Sequence, residues 1–288
     1  HRVSFMLKRL KNEVVHSVWA MWHQMQEGDF VQTYTEKGFR GNDKEWESMC
    51  IPFDEDAKIC LNGVIDRVDL CSLPGEELIK VIDYKSSDSQ DLSLAKVYYG
   101  LQMQLLTYLE AAKEMVEKEH KGKEAVPAAM LYYAIKEKNL DWKPESEEEY
   151  EKRVLDSMKC KGYVNEEPEI IGHLDKSVVN GGELIPGQKS GVVPVAVDKK
   201  GLLKKNSGAL STKDFETLIA HTKEKMKECG KAILDGKIEA IPYVYEDNDG
   251  CTYCPYGSVC GHESKKDGVR EMKKMSDDEV WEALYGDD

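Results

Sequence analysis

The stretch Gly63–Lys85, which reads GVIDRVDLCSLPGEELIKVIDYK, decides the fold of this chain. Apolar and polar residues alternate through residues 57–71 and again through residues 78–85, as expected for two half-buried β-strands. Leu73–Glu76 lies between them with the sequence Leu-Pro-Gly-Glu, a turn signal. Because the link is so short, the two strands are predicted to pair as an antiparallel hairpin.

The predicted hairpin carries charges on otherwise apolar strand faces. Asp66 lies on the first strand, and Asp83 and Lys85 leave one face of the second, roughly 6–7 Å apart. Two carboxylates in such surroundings repel each other and are costly to bury, and Mg²⁺ or Mn²⁺ would relieve that cost. A metal held by Asp66 and Asp83 can activate a water, while Lys85 can position that water or neutralise developing charge. The alternative is three ordinary polar residues on a half-exposed strand. The facing aspartates favour phosphodiester hydrolysis.

The rest of the chain predicts an α/β domain built on a small mixed sheet flanked by helices. Treated as a single domain of residues 1–288, it divides into a core of about 30–136, a helical and irregular excursion of about 145–240, and a cysteine cluster at 251–260. The further predicted elements are a helix at 3–27, a helix at about 93–119, a buried strand from Ala128 to Ile135 after Pro127, a helix from Ser146 to about Lys159, irregular chain over 160–210 with short strands near 192–197, a helix from Ser211 to Gly236, and a short helix capped by Ser276.

Composition narrows the class of protein. The net charge of −14 argues against a protein that coats nucleic acid, so contacts with DNA would have to come from local basic patches. No apolar run reaches the length of a membrane span and no signal peptide opens the chain, which favours a cytoplasmic protein. The chain begins at His1 rather than Met, as expected of a fragment. Two basic stretches are candidates, although each alone also fits solvated loop lysines: Lys199, Lys200, Lys204 and Lys205, and Lys265 with Lys266.

Three of the eight cysteines are grouped as Cys251-x₂-Cys254-x₅-Cys260. Thiolates this close can bind zinc or an iron–sulfur cluster, and a redox Cys-x-x-Cys pair would leave Cys260 unexplained. The remaining cysteines are scattered through the chain: Cys50, Cys60, Cys71, Cys160 and Cys229.

The hairpin and the helix after it together resemble a known nuclease core. Gly63–Asp69 and Val81–Ser87 resemble the PD-(D/E)xK motif of the RecB-like branch, and Gln104 with Tyr108 resembles its Q-x-x-x-Y helix. The resemblance implies a restriction-endonuclease-like fold in which Gln104 and Tyr108 border the active site and contact DNA. Four residues apart, they share one helix face. Without the resemblance they would be a polar edge and a core aromatic residue.

Over nearly its whole length the chain resembles the AddB family of helicase–nuclease subunits, including Glu36–Phe39 and Gly172–Asp175. This resemblance implies a DNA exonuclease, an AddA-type helicase–nuclease partner, and processing of double-strand breaks for recombinational repair. It also implies a [4Fe–4S] cluster held by Cys251, Cys254, Cys260 and one upstream cysteine. No cysteine precedes Cys50, so the cluster is not expected to be complete in this fragment.

Two alternatives remain open from the residues. One is a free-standing RecB-like or Cas4-like nuclease, and the other is a structural DNA-end-binding module with an idle site. The intact charged residues of the hairpin count against the idle module, and the long excursion over 160–210 favours the AddB family. RecB-like nucleases often add a helix histidine as a metal ligand, but the context of His16 does not match that motif, so His16 and His23 are left out of the predicted site.

Overall fold

The computed structural model describes residues 2–41, 46–86, 91–135, 146–262 and 268–286. The basic pair Lys265 and Lys266 lies outside this part of the chain. The chain forms two compact units. The first comprises His1–Met49, Cys60–Leu92 and Gln104–Ile219, and the second comprises Cys50–Ile59, Ser93–Met103 and Ala220–Asp288.

Helices and strands alternate along the described chain. The helices are α1 (Arg2–Gln26), α2 (Leu94–Tyr98), α3 (Gln104–Glu119), α4 (Glu147–Ser157), α5 (Pro168–Leu174), α6 (Thr212–Leu234), α7 (Gly257–Cys260) and α8 (Asp277–Tyr285). The strands are β1 (Val31–Phe39), β2 (Met49–Pro52), β3 (Lys58–Leu61), β4 (Gly63–Leu73), β5 (Glu76–Lys85), β6 (Glu124–Ala134), β7 (Lys161–Asn165), β8 (Val179–Asn180), β9 (Glu183–Leu184), β10 (Ala209–Leu210), β11 (Tyr243–Tyr245), β12 (Asn248–Asp249) and β13 (Arg270–Met272).

A six-stranded sheet in the order β1-β4-β5-β6-β7-β10 organises the first unit. β4 and β5 form the predicted antiparallel hairpin, and Gly75 takes the positive φ of 86° that its tight turn requires. β6 lies parallel to β5, whereas β1 is antiparallel to β4 and β7 is antiparallel to β6. The predicted mixed sheet is therefore confirmed.

Each face of this sheet is covered by apolar side chains. α3 packs on β5 and β6 through a stripe of apolar side chains along one face of the helix. Each large apolar side chain in this stripe stabilises the fold by about 1.5–3 kcal/mol when it is fully buried. The buried apolar residues of α3 include Leu105, Leu106, Leu109, Met115 and Val116. A second cluster of buried residues joins α1, α4 and α5 to the strands, and it includes Ala20, Cys71, Leu78, Leu131, Val154, Cys160 and Ile171. Between these layers the strands become almost entirely buried, which explains the apolar run of β6.

Several predicted boundaries were wrong. The helix predicted over 93–119 is two helices, because Gly100 adopts a φ of 75° that a helix does not tolerate. The strand predicted from Ala128 begins at Glu124 and contains Pro127. A shift in the β5–β6 register beside Pro127 accommodates a residue that cannot donate to the ladder.

The excursion predicted over 160–210 is more ordered than its composition indicated. It contains β7 and α5, and β10 pairs with β7 as the last strand of the large sheet. The strands predicted near 192–197 are reduced to isolated bridges at Ala196 and Val197. The predicted capping interactions are confirmed at Ser146, Ser211 and Ser276, whose side chains each accept a backbone N–H three residues later.

The second unit is built around a three-stranded sheet in the order β12-β11-β13. α2 packs against α8 in this unit, and the predicted cysteine cluster lies between β12 and the end of α7. Of the helices in the described ranges, none combines the length and apolar character needed to cross a membrane.

Candidate active site

The register of the β4–β5 hairpin brings the two predicted aspartates together. Arg67 lies opposite Ile82, so the next pair of positions along the ladder is Asp66 and Asp83. The backbone N–H of Tyr84 donates to Oδ2 of Asp66 at 2.8 Å, which holds that carboxylate against β5. The predicted facing arrangement is therefore present.

Asp83 is the buried member of the pair, with 2% of its surface exposed. Its Oδ1 accepts a hydrogen bond from Nε2 of Gln104 at 3.0 Å, and its Oδ2 lies 2.5 Å from Nζ of Lys85. Burial raises the pKa of Asp83, the negative charge of Asp66 raises it further, and Lys85 works against both. The site therefore holds a carboxylate that is costly to ionise without a compensating cation.

Gln104 links the residues of the site. Its Oε1 accepts from Nζ of Lys85 at 3.0 Å, while its Nε2 donates to Asp83 and to the hydroxyl of Tyr108, the latter also at 3.0 Å. Gln104 and Tyr108 stand one turn apart at the start of α3, as their spacing predicts. Gln104 thus connects Asp83, Lys85 and Tyr108, and Asp66 adjoins Asp83 across the β4–β5 ladder. We call the five residues predicted for the site the hairpin cluster: Asp66, Asp83, Lys85, Gln104 and Tyr108.

Tyr132 is a site residue that sequence reasoning missed. It lies beside Asp83 in the β5–β6 register, and its ring is 5.2 Å from Nζ of Lys85. Burial raises the pKa of Tyr132 to about 12, with the charge of Asp83 adding to the effect, so the ring is a neutral wall of the site. In the sequence, Tyr132 stands out only because its hydroxyl lies in an otherwise apolar strand. Which residue lies beside it depends on the register of β5 and β6.

Phe39 and Gly63 support the opposite wall. A Cβ at Gly63 would lie 2.6 Å from the ring of Phe39, so only glycine lets this ring approach β4. Phe39 in turn meets Tyr108 edge to face, with 6.1 Å between ring centroids. The glycine that opens the hairpin motif is therefore explained by the packing of Tyr108.

Glu36 lies on β1 next to the hairpin. Its neighbours Thr35 and Lys37 pair with Arg67 and Ile65, which puts Glu36 across from Asp66. Glu36 has a φ of 47°, a left-handed conformation that costs a non-glycine residue about 1–3 kcal/mol. The Glu36 side chain is exposed. It does not join Asp66 and Asp83 in a three-ligand site, because within the described ranges no three His, Cys, Asp or Glu residues are close enough to hold a metal ion.

Two carboxylates nevertheless suit a magnesium-type ion. Mg²⁺ is usually bound through one or two carboxylates, with water and substrate phosphate completing its six ligands. Oδ2 of Asp83 is buried and accepts no hydrogen bond from the described residues, although it is ion-paired with Lys85. An acceptor left in this condition fits a site that binds a cation, so Asp66 and Asp83 fit the predicted metal.

The cysteine cluster does not form a comparable site. Cys251, Cys254 and Cys260 are all exposed free thiols, and no three-ligand metal group is found in the described residues. Cys50 and Cys60 are both disulfide-bonded, so neither offers a thiolate as a fourth ligand. The donor set predicted for a [4Fe–4S] cluster is therefore not assembled in this part of the chain.

Comparisons with known proteins agree with this geometry. Residues 2–261 match the model of the PD-(D/E)XK nuclease superfamily. The chain is 30% identical over 286 residues to the B subunit of the ATP-dependent helicase/deoxyribonuclease of Alkaliphilus oremlandii, covering 99% of this chain and 24% of that protein. It is 32% identical over 290 residues to the protein of the same name from Lachnoclostridium phytofermentans, covering 100% of this chain and 24% of that protein. The chain thus spans about a quarter of the length of these curated relatives. With the superfamily model matching nearly all of the chain and the hairpin cluster in place, this protein belongs to the PD-(D/E)XK nuclease superfamily.

Proposed function

We propose that this chain is the DNA-cleaving domain of a helicase/deoxyribonuclease B-type subunit and that it hydrolyses phosphodiester bonds with Mg²⁺ or Mn²⁺. The observation that carries the proposal is the buried carboxylate of Asp83, which lies beside Asp66 and within 2.5 Å of the ammonium group of Lys85. A buried acid, a second acid and a lysine are the groups that metal-assisted hydrolysis of a phosphodiester requires.

Asp66 and Asp83 are the proposed metal ligands. When bound, a divalent cation would supply a more acidic water and positive charge for the phosphate oxygens. The rigid β4–β5 ladder fixes the spacing of the two carboxylates, and the Tyr84 backbone N–H and the Gln104 side chain occupy one oxygen of each. The other oxygen of each carboxylate, Oδ1 of Asp66 and Oδ2 of Asp83, is the proposed ligand.

Lys85 is the proposed electrostatic catalyst. In the cation-free arrangement its ammonium group compensates Asp83 and is held between that carboxylate and Gln104. A cation at the carboxylates would take over this compensation. The Lys85 side chain, 21% exposed, would then be available to a phosphate oxygen or to the attacking water. Gln104 helps to position Lys85, because its Oε1 accepts a hydrogen bond from Nζ of that lysine.

Tyr108 and Gln104 are the proposed substrate-facing residues at the start of α3. The Tyr108 hydroxyl accepts from Gln104, and its own O–H remains able to donate to a phosphate or sugar oxygen. DNA as substrate and a second subunit as partner are supported by the names of the relatives, which are helicase/deoxyribonuclease B subunits, and the proposed partner is of the AddA type. On this proposal, the chain acts as an exonuclease in the processing of double-strand breaks.

A digestion assay tests the function directly. Linear and covalently closed circular DNA are incubated with the protein in Mg²⁺, Mn²⁺ or EDTA, and an exonuclease is expected to degrade only the linear DNA in the presence of metal. Glu117→Gln, which removes one negative charge from the exposed side of α3, is the matched control for Asp83→Asn. Equal degradation by Asp83→Asn and the control would contradict the active-site assignment, and activity in EDTA would contradict metal dependence.

A further inference from the structure

A second charged feature of the first unit is a cavity of about 270 Å³ at the start of β7. Ten residues line it: Asp156, Ser157, Lys159, Cys160, Lys161, Lys189, Pro194, Val195, Ala196 and Asn206. Three of them are lysines and one is an aspartate. A cavity with this excess of positive charge stands out in a chain whose net charge is −14.

The lysines of this cavity are closely placed. Nζ of Lys159 donates to the carbonyl oxygen of Ser190 at 2.7 Å, which keeps its ammonium group at the cavity wall. Burial, and next the positive charge of Lys189, together lower the pKa of Lys159 to about 8, against the opposing negative charges of Asp156 and Asp175. An anion bound in this cavity would offset the unfavourable positive charge at Lys159.

Lys161 connects the cavity to the hairpin cluster. Asp83 lies beside Tyr132 in the β5–β6 ladder, and Tyr132 lies opposite Lys161 in the β6–β7 ladder. The three positions form one row across the sheet, so Lys161 stands two strand spacings, or about 10 Å, from Asp83. Lys161 pairs with Asp91 at 2.9 Å, but the Asp91 side chain is 77% exposed, and such a surface pair is readily exchanged for another anion.

We propose that this cavity binds a backbone phosphate of the DNA strand whose scissile phosphate lies at the hairpin cluster. The inference rests on the proposed function, since it names a substrate contact of that same site. Lysine ammonium groups bind phosphate as point charges without reading bases, which suits a nuclease that must accept any sequence. With Lys161 about two strand spacings from Asp83, a contact at this cavity would hold the strand in register without placing a cavity lysine at the cleaved bond.

The test removes two charges from the cavity and two from elsewhere. The double variant Lys159→Gln with Lys189→Gln is compared with the control Lys8→Gln with Lys11→Gln, which removes two exposed lysines of α1 in the same unit. Lys189→Glu is a single variant at an exposed position and guards against misfolding of the double variant. Binding of a fluorescent single-stranded oligonucleotide is measured in EDTA between 50 and 200 mM salt.

Each phosphate contact to a single strand contributes about 0.7 to the salt dependence of binding. Loss of this one phosphate contact should therefore make the binding constant of the cavity variant about 2.6-fold less sensitive to this fourfold rise in salt than that of the wild type. Lys189→Glu should bind more weakly, and the control should match the wild type. A cavity variant with the wild-type salt dependence, or a control that loses as much as the cavity variant, would overturn the proposal.

A small substrate separates this inference from the proposed function. The 5′-nitrophenyl phosphate ester of thymidine is too short to reach both sites, so the cavity variant should hydrolyse it at the wild-type rate while its KM for long DNA rises. Equal loss on both substrates would show that the lysines support the hairpin cluster, and the inference would fail. If the wild type hydrolyses neither substrate but the binding result holds, the proposed function fails and the phosphate site stands.

Discussion

Replacing Asp83 by Asn is expected to change activity and stability in opposite directions. Burial and the neighbouring Asp66 raise the pKa of Asp83, so above that pKa the ionised carboxylate destabilises the cation-free fold. Cross-strand neighbours lie about 5 Å apart, and two negative charges at that distance repel by about 3 kcal/mol at an effective dielectric constant near 20. Lys85, 2.5 Å from Asp83, offsets part of this repulsion. A net gain of about 1–2 kcal/mol is expected for the cation-free Asn variant at neutral pH.

The gain should depend on pH and on metal. It should vanish as the pH falls through the raised pKa of Asp83, because the wild-type carboxyl is then also uncharged. In Mg²⁺ the order should reverse, since a ligand at 100 times its Kd stabilises the wild type by about 2.7 kcal/mol and the variant lacks one of the two ligands. DNA cleavage should fall by more than about 100-fold, beyond what loss of a residue supporting a metal ligand costs.

Thermal unfolding of the wild type, Asp83→Asn and Glu117→Gln in EDTA and in Mg²⁺ measures these effects. The expected pattern is a midpoint for Asp83→Asn above the wild type in EDTA and below it in Mg²⁺, with the control unchanged relative to the wild type in both. If Mg²⁺ stabilises Asp83→Asn as much as the wild type, Asp83 is not a metal ligand. If Asp83→Asn is the less stable protein in EDTA, the repulsion argument is wrong even if cleavage is lost.

Further substitutions test other parts of the structure. Lys85→Ala should reduce the rate of cleavage by about 100-fold or more, while the metal affinity measured by calorimetry stays near the wild-type value. A parallel loss of metal affinity would show instead that the lysine holds the carboxylates in place. Gly63→Ala should destabilise the first unit by about 1–3 kcal/mol in denaturant titrations, because its Cβ would lie 2.6 Å from Phe39, and an unchanged midpoint would refute the packing argument. Asp69→Asn should cost about 3–5 kcal/mol at neutral pH by leaving two buried cations uncompensated. Burial works to raise the pKa of Asp69, but these cations outweigh it and hold the pKa below its usual value. The stabilisation is therefore present above about pH 4 and is lost as the pH falls through the lowered pKa, so a gap between wild type and variant that persists in strong acid would contradict the assignment. Iron analysis of the purified chain should give far fewer than four iron atoms per molecule, because its clustered thiols are exposed and form no metal-binding group among the described residues. Four iron atoms per molecule would refute this prediction.

The hairpin could be predicted because its information is local. A turn signal between two strands of alternating apolar and polar residues specifies how the strands pair and which residues share a face of the sheet. The positions of Asp66 and Asp83 follow from that pairing. Gln104 and Tyr108 could be placed together by helical spacing alone. That they border the active site, where Gln104 contacts Lys85, was implied only by the family resemblance, since neither spacing nor composition says where α3 packs.

The parts that could not be predicted depend on distant contacts. β7 and α5 lie in a stretch with no clear hydrophobic period, and β7 becomes a strand because it completes the sheet beside β6. The break at Gly100 and the bulge beside Pro127 were not predicted for a similar reason. The local sequence marks glycine and proline as residues that disfavour helices and strands, but tertiary pairing determines where each element ends. The pairing of β6 is also what places Tyr132 in the site.

The same dependence on register explains why the proposed phosphate cavity is invisible in sequence. Lys159, Lys161 and Lys189 are scattered over some thirty positions, whereas the lysine run at 199–205 is compact and is the natural candidate for contact with DNA. Clustering along the chain favours solvated side chains, because like charges in one loop separate most easily in water. Clustering in a cavity requires the fold to hold like charges together against their repulsion, as it does for Lys159 and Lys189. The proposed substrate would offset both costs, because a DNA strand carries the negative charge that these lysines would bind and a metal ion would compensate the two carboxylates at the same end of the sheet.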